Sequence, residues 1–248
     1  MSDEPYNISL MASNTTHIGI PITKPETEQE LLKRCQIMTG QTLLELALTC
    51  QQSIPKSFHH SKGWVGQLIE SCLGADGTNQ AQPDFAHLGI ELKTIPLNAN
   101  KQPRESTYVC TAPLGNHNTR GLHPETWATS RVRHKLARVL WVPVEADPKI
   151  PIPNRRIGSP LLWSLPVALE VVLQQDWEEL IEMLHCGQIA HISAKQGVYL
   201  QIRPKAAHSR VLIPTLDENA DSVWVNPKGF YLRTSFTKEI LHAHYCIA

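Results

Sequence analysis

The hydrophobic period of this chain changes near Asp84, and that change constrains the fold more than any single residue does. Before it, apolar residues recur at helical spacing. Thr27-Glu28-Gln29-Glu30 opens a helix whose stripe is Leu31, Leu32, Cys35 and Met38, and Gly40 stops it. A second helix clusters Leu43, Leu44, Leu46, Ala47 and Leu48 and ends before Pro55. A third runs from about Gly63 to Leu73 with Trp64, Leu68, Ile69 and Cys72 inward and Gly74 as its stop. After Asp84 the pattern alternates: Ile90, Leu92 and Thr94 fall on one face, and Glu91, Lys93 and Ile95 on the other, until Pro96. Ser106 to Ala112 and Val139 to Val144 read as further strands. Leu169 to Leu184 is a long acidic-faced helix closed by Gly187. Ile189 to Arg203 reads as a hairpin turning at Lys195-Gln196-Gly197, Gly229 to Phe236 as a late strand, and Thr237 to His244 as a closing helix. Helices on either side of a strand-rich middle, without regular alternation, predict a mixed α/β protein rather than a doubly wound sheet.

The chain has 248 residues, enough for one large core without disulfide staples. Residues 1–24 are polar and are expected to form a loosely attached tail, with a single domain over 25–248. No stretch approaches the roughly 20 apolar residues of a membrane span, and the N-terminus lacks the pattern of an export signal. Cys35, Cys50, Cys72, Cys110, Cys186 and Cys246 are scattered, with no CxxC pair. They read as buried thiols in a reducing compartment, which points to the cytoplasm. His185, Cys186 and His191 have nothing at zinc-ligand spacing nearby.

Whole-molecule charge is uninformative, because 23 basic side chains balance 23 acidic ones. Its distribution is not. Carboxylates collect in the helix Glu170–Glu182, whereas Lys195, Arg203, Lys205 and Arg210 lie in a stretch free of them, as do Lys228, Arg233 and Lys238. With the block Arg131–Arg138, these cations could line a basic groove, although each stretch alone reads equally well as a solvated face.

The chemistry-bearing segment is Asp84-Phe85-Ala86-His87-Leu88-Gly89-Ile90-Glu91-Leu92-Lys93. Glu91 and Lys93 share a strand face. Asp84 precedes Glu91 by seven residues, an odd separation that puts it on the opposite face of a straight strand. A turn or bulge near Leu88-Gly89 would fold it back. Two carboxylates would then offer hard oxygen ligands to Mg²⁺. An ammonium at Lys93 could orient a nucleophilic water and offset charge developing on a phosphate. Glu70, on the third helix, could add another acid. Taken alone, the triple reads more readily as an exposed strand face carrying an ion pair, and Glu70 equally well as part of a solvated helix face.

Several blocks in order give the chain a resemblance to the MutH DNA mismatch-repair endonucleases, relatives of type II restriction enzymes. They are Lys62-Gly63-Trp64-Val65-Gly66, Asp84 to Pro96, Val132-Arg133-His134-Lys135-Leu136, and Arg155 to Trp163. Tyr199 to Ala206 and Gly229-Phe230-Tyr231-Leu232 complete the set. The resemblance runs from about Pro25 to the C-terminus. It implies a restriction-endonuclease-like mixed β-sheet flanked by helices, forming a clamp of two arms around a DNA cleft. It also implies Mg²⁺-dependent nicking of the unmethylated strand at hemimethylated GATC sites, 5′ to the G, activated by MutL after MutS finds a mismatch. The family pattern falls on Asp84, Glu91 and Lys93, with Glu70 as an auxiliary acid and Lys135 near the scissile phosphate. The tail and the loop around His117–Pro124 are longer than the family pattern.

Reading adenine methylation requires the major groove, where the N6 amino group is displayed. The resemblance assigns Arg203, Lys205 and Tyr231 to that task, Tyr108 to a further DNA contact and Lys62 to a phosphate. A single catalytic triple per chain suits a monomeric nickase. A restriction endonuclease cutting both strands of GATC, and a repair partner that binds DNA without cutting, are the alternatives.

Overall fold

A computed structural model describes residues 23–55, 57–58, 63–76, 81–114, 125–193, 195–205 and 210–245. Lys62, Cys246, the loop at His117–Pro124 and residues 1–22 of the expected tail lie outside them.

The three N-terminal helices form as expected: α1 (Glu28–Met38), α2 (Leu43–Thr49) and α3 (Trp64–Leu73). The Thr27 side chain accepts from the Glu30 N–H to start α1. Thr42 and Glu45 make a reciprocal capping box at α2. Next come β1 (Glu91–Leu97), β2 (Thr107–Thr111), α4 (Arg131–Leu136), β3 (Arg138–Glu145), β4 (Leu161–Ser164) and α5 (Val167–His185). The chain continues through β5 (Leu200–Pro204), β6 (Ile213–Leu216), β7 (Ser222–Val225), β8 (Lys228–Leu232) and α6 (Thr234–Tyr245). The architecture is mixed α/β, as the periods imply.

The strands form a β1-β3-β4 sheet, a β2-β8-β5 sheet and a β6-β7 ribbon. β3 is the structural divider. It pairs parallel with β1 and antiparallel with β4, and its side chains alternate between two cores. Leu140, Val142 and Val144 join the helices α1 to α3, together with Phe85, Ile90 and Leu92. Val139 and Trp141 face the other way, against Ile95, α4, α5, α6 and the second sheet. A strand buried on both faces must be apolar almost throughout, which explains Val139-Leu140-Trp141-Val142-Pro143-Val144.

Several elements differ from expectation, each for a local reason. Pro96 does not end β1. Its carbonyl accepts from Arg104 N–H at 2.9 Å on the outer edge, so the missing N–H also points away from β3. No hairpin forms over Ile189–Arg203, because a 3-10 turn at Ile189–His191 replaces its first strand. The entry to β5 is held instead by the buried carboxylate of Asp176 on α5. It accepts from the N–H groups of Val198, Tyr199 and Leu200 at 2.7, 2.7 and 2.8 Å. The last strand stops at Leu232 rather than Phe236, since Phe236 and Thr237 N–H bond back to the Arg233 carbonyl and start α6. Cys186 is exposed, whereas Cys35, Cys50, Cys72 and Cys110 are buried free thiols.

The block Arg131–Arg138 is not a continuous basic stripe either. Arg133 pairs with Glu170 at 2.6 Å and Arg138 with Glu28 at 2.7 Å, while Lys135 turns inward onto Glu91.

Leu140 is fully buried in the helical core, so Leu140→Ala should lower unfolding free energy by about 2–5 kcal/mol in urea titrations. Val167→Ala, at a side chain 78% exposed, should change it by no more than about 0.5 kcal/mol.

Candidate active site

The route from sequence to site begins at a tight reversal before β1. Residues Ala86–Leu88 make one 3-10 turn, and Gly89 closes it at φ 65°, a left-handed conformation that glycine adopts without steric cost. Phe85 and Ile90 then exchange backbone hydrogen bonds of 2.9 and 3.2 Å, and both side chains are buried. The reversal is therefore anchored in the helical core. Its consequence is that Asp84 returns alongside the strand, where its Oδ2 accepts from the Leu92 N–H at 2.8 Å. From the other side, Asp76 N–H donates to the Asp84 carbonyl at 2.8 Å.

Glu91 opens β1 and is only 2% exposed. An isolated carboxylate at that depth would be strongly disfavoured. Lys93 Nζ donates to its Oε1 at 2.6 Å. Lys135 Nζ, from α4, donates to Oε1 and Oε2 at 3.0 and 2.8 Å and to the Gln82 carbonyl at 3.2 Å. All three donors of the Lys135 ammonium are thus directed at the site and at the segment leading into Asp84. The Gln82 carbonyl was not among the residues expected, and a backbone acceptor leaves no compositional signal.

Glu70 approaches from α3. Burial pushes its carboxyl above the ordinary range, and the charge of Asp84 adds to the effect, with Lys93 opposing. Asp84 is raised for the same reasons, burial first and Glu91 second, against the Leu92 N–H and the two lysines. The structure thus brings Glu70, Asp84, Glu91, Lys93 and Lys135 into mutual electrostatic reach. Three carboxylates face two ammonium groups here.

This donor set fits Mg²⁺ in its chemistry: hard oxygens, an excess of negative charge, and two carboxylates that burial and repulsion leave poorly stabilised. Among the described residues, no group of three Asp, Glu, His or Cys side chains already stands as a metal-binding cluster.

A second constellation lies on the β2-β8-β5 sheet. Tyr108 and Tyr231 are cross-strand partners with rings in an edge contact, centroids 5.3 Å apart. Lys205 lies over the Tyr108 ring at 4.3 Å, and the Arg203 guanidinium carbon is 5.9 Å from the Tyr231 centroid. Burial raises the Tyr231 phenol above its usual range, and Tyr108 adds to this while Arg203 opposes it. All the expected DNA-contact residues except Lys62, which is outside the described residues, therefore form one patch. Ser106 and Thr111 belong to it too, through hydrogen bonds with Arg203 and Lys205. Sequence reasoning missed both, because a small hydroxyl in a strand has no distinguishing pattern.

The family profile described as "DNA mismatch repair enzyme MutH" matches residues 73–176. Over 224 residues the chain is 47% identical to the DNA mismatch repair protein MutH of Serratia proteamaculans, spanning 90% of this chain and 96% of that protein. The chain belongs to the MutH family. MutH of Shewanella baltica is 48% identical over 221 residues, spanning 89% of this chain and 97% of the relative. MutH of Escherichia coli O127:H6 is 46% identical over 227 residues, 91% and 96% of the respective chains. Membership gives the mixed α/β architecture its restriction-endonuclease-like class and makes the chain a DNA repair endonuclease. No helix among the described residues is long and apolar enough to cross a membrane.

The raised carboxyls of this MutH site have a stability consequence. Each folded-state pKa lies above its unfolded value, so the folded protein binds more protons in that interval. Stability then falls as pH rises through it, from the ordinary carboxylate range upward. Glu70→Gln removes one charge and should raise the thermal midpoint of metal-free protein at pH 7, with the gain shrinking toward pH 4. A gain independent of pH would contradict the repulsion.

Proposed function

We propose that this MutH-family chain nicks the unmethylated strand of hemimethylated or unmethylated GATC sites in double-stranded DNA, 5′ to the G. On this reading it acts in the cytoplasm as a Mg²⁺-dependent monomer, activated by MutL after MutS has found a mismatch. The observation that carries the catalytic part is the return of Asp84 to the Leu92 N–H, which sets it beside Glu91 and Lys93.

Asp84 and Glu91 would hold the ion, with Glu70 as a further acid close by. When bound, the ion supplies positive charge against the phosphoryl oxygens. The side chains do the rest. The Asp84 carboxylate is oriented by a backbone N–H that cannot rotate away. Lys135 grips both oxygens of Glu91 and fixes the plane of that carboxylate. This leaves Lys93, 13% exposed at its side chain, as the ammonium that orients the attacking water and offsets charge in the transition state. The patch Tyr108, Tyr231, Arg203 and Lys205 would meet DNA, with Tyr231 reading the adenine N6 edge and Lys62 holding a phosphate. One catalytic set per chain favours nicking over cutting both strands.

A supercoiled plasmid with GATC sites tests this. In Mg²⁺, unmethylated plasmid should give open circles, faster with MutL and MutS on a mismatch. Asp84→Ala or Lys93→Ala should lower the rate by about a hundredfold or more. Linear product at low enzyme would favour a restriction enzyme, and binding without cleavage a non-cutting partner.

Tyr231→Phe should narrow the rate difference between unmethylated and fully methylated plasmid while largely preserving the unmethylated rate. An equal fractional loss on both substrates would remove Tyr231 from methyl reading.

A further inference from the structure

Arg203 in β5 and Lys205 just after it lie at one edge of the β2-β8-β5 sheet, yet their side chains end at the other edge, on Ser106 just before β2 and on β2 itself. Arg203 Nη1 donates to Ser106 Oγ. Lys205 Nζ donates to Tyr108 Oη and, at 2.9 Å, to Thr111 Oγ1.

Two features make this crossing possible. The first is Gly229, in the intervening strand opposite both Arg203 and Thr111. A Cβ there would stand 2.9 Å from Tyr108 Cε2 and 3.3 Å from Tyr231 Cε2, so the two rings and the long side chains use space that any other residue would fill. The second is the register shift between Tyr108 and Cys110. On a straight strand, residues three apart face opposite ways. Here Val109 and Cys110 are both buried, and Thr111 emerges on the same side as Tyr108, their hydroxyls 3.0 Å apart.

The partners on this face are neutral. Arg203 and Lys205 join no ion pair among the described residues, whereas Arg133, Lys135 and Arg138 all pair with carboxylates. A carboxylate would hold a cation as firmly but would cancel its charge. A hydroxyl orients the side chain and leaves its charge for an anionic ligand. Lys205 spends two of its three N–H donors on hydroxyls, so one remains.

We propose that Ser106 and Thr111 are positioning residues that preset Arg203 and Lys205 for DNA. They act through those cations and do not themselves read bases. Holding long side chains in place before binding removes part of the rotamer entropy otherwise lost on association. The inference rests on the reading that this sheet face meets DNA.

The test measures binding of the full chain, without divalent metal, to a fluorescent duplex carrying one hemimethylated GATC, across a range of salt. Thr111→Val keeps shape and strand preference but removes the hydroxyl. It should weaken binding about three- to tenfold with no change in the slope of log K against log salt, because Lys205 keeps its charge. Lys205→Ala should also flatten that slope, by about 0.9 for each phosphate no longer neutralised. Thr111→Ser restores a hydroxyl and should bind within about twofold of the unaltered protein. Ser106→Ala should parallel Thr111→Val. Wild-type affinity in both Thr111→Val and Ser106→Ala, with weakened binding in Lys205→Ala and Arg203→Ala, would overturn the positioning role and leave the DNA face standing. If the lysine and arginine variants also bind normally, the DNA face fails and this inference fails with it.

Discussion

The Glu91 carboxylate sits at the start of β1 almost wholly shielded from solvent, and this single buried charge organises the site. Removing a carboxylate from water costs several kcal/mol unless cations and hydrogen bonds replace the lost hydration. Lys93 and Lys135 supply them from different elements, the strand itself and α4. Their geometry is then mutually determined. Lys135 must stay inward because Glu91 is there, and through the Gln82 carbonyl it also ties down the segment that delivers Asp84. Glu91 is thus held by two ammonium groups, while Glu70 and Asp84 remain raised by burial and neighbouring charge.

Charge is handled in two ways across the molecule. Around α4 and the start of β3, cations are matched with acids, so Arg133, Lys135 and Arg138 brace the structure. On the β2-β8-β5 sheet, Arg203 and Lys205 lean on hydroxyls and aromatic rings, which orient a cation without neutralising it. That contrast separates cations that hold the fold from cations free to meet a polyanion. The linear sequence does not distinguish them: Arg131–Arg138 is the denser basic block, yet much of its charge is spent internally.

The two constellations are connected through the sheet architecture. β3 divides the interior into two cores, and β1 lies beside it with Leu92 in one and Ile95 in the other. Glu91 and Lys93 share the Ile95 face, toward α4, whereas the reversal that returns Asp84 is rooted in the opposite core by Phe85 and Ile90. The site therefore draws Glu70 and Asp84 from one packing unit and Lys135 from the other, with Glu91 and Lys93 on the strand between them, so its geometry depends on how both cores pack against one sheet.

Much was legible in the residues alone. The three N-terminal helices follow from capping residues and apolar stripes, the strand at Glu91 from alternation, and the need for a bend before it from an odd spacing and a glycine. These are local properties, set by backbone geometry within a few residues. The family blocks carried the expected site residues because those motifs are contiguous. What only the tertiary structure decided depends on partners distant in sequence. Asp176 holds the entry to β5 by its backbone where a hairpin was expected, Pro96 survives in β1 because its bare nitrogen faces outward, and Lys135 belongs to Glu91. A strand irregularity at Val109 and an empty position at Gly229 bring Thr111 to Lys205. Period and composition describe which face a residue prefers. They do not describe which charged or polar group, many residues away, will be waiting there.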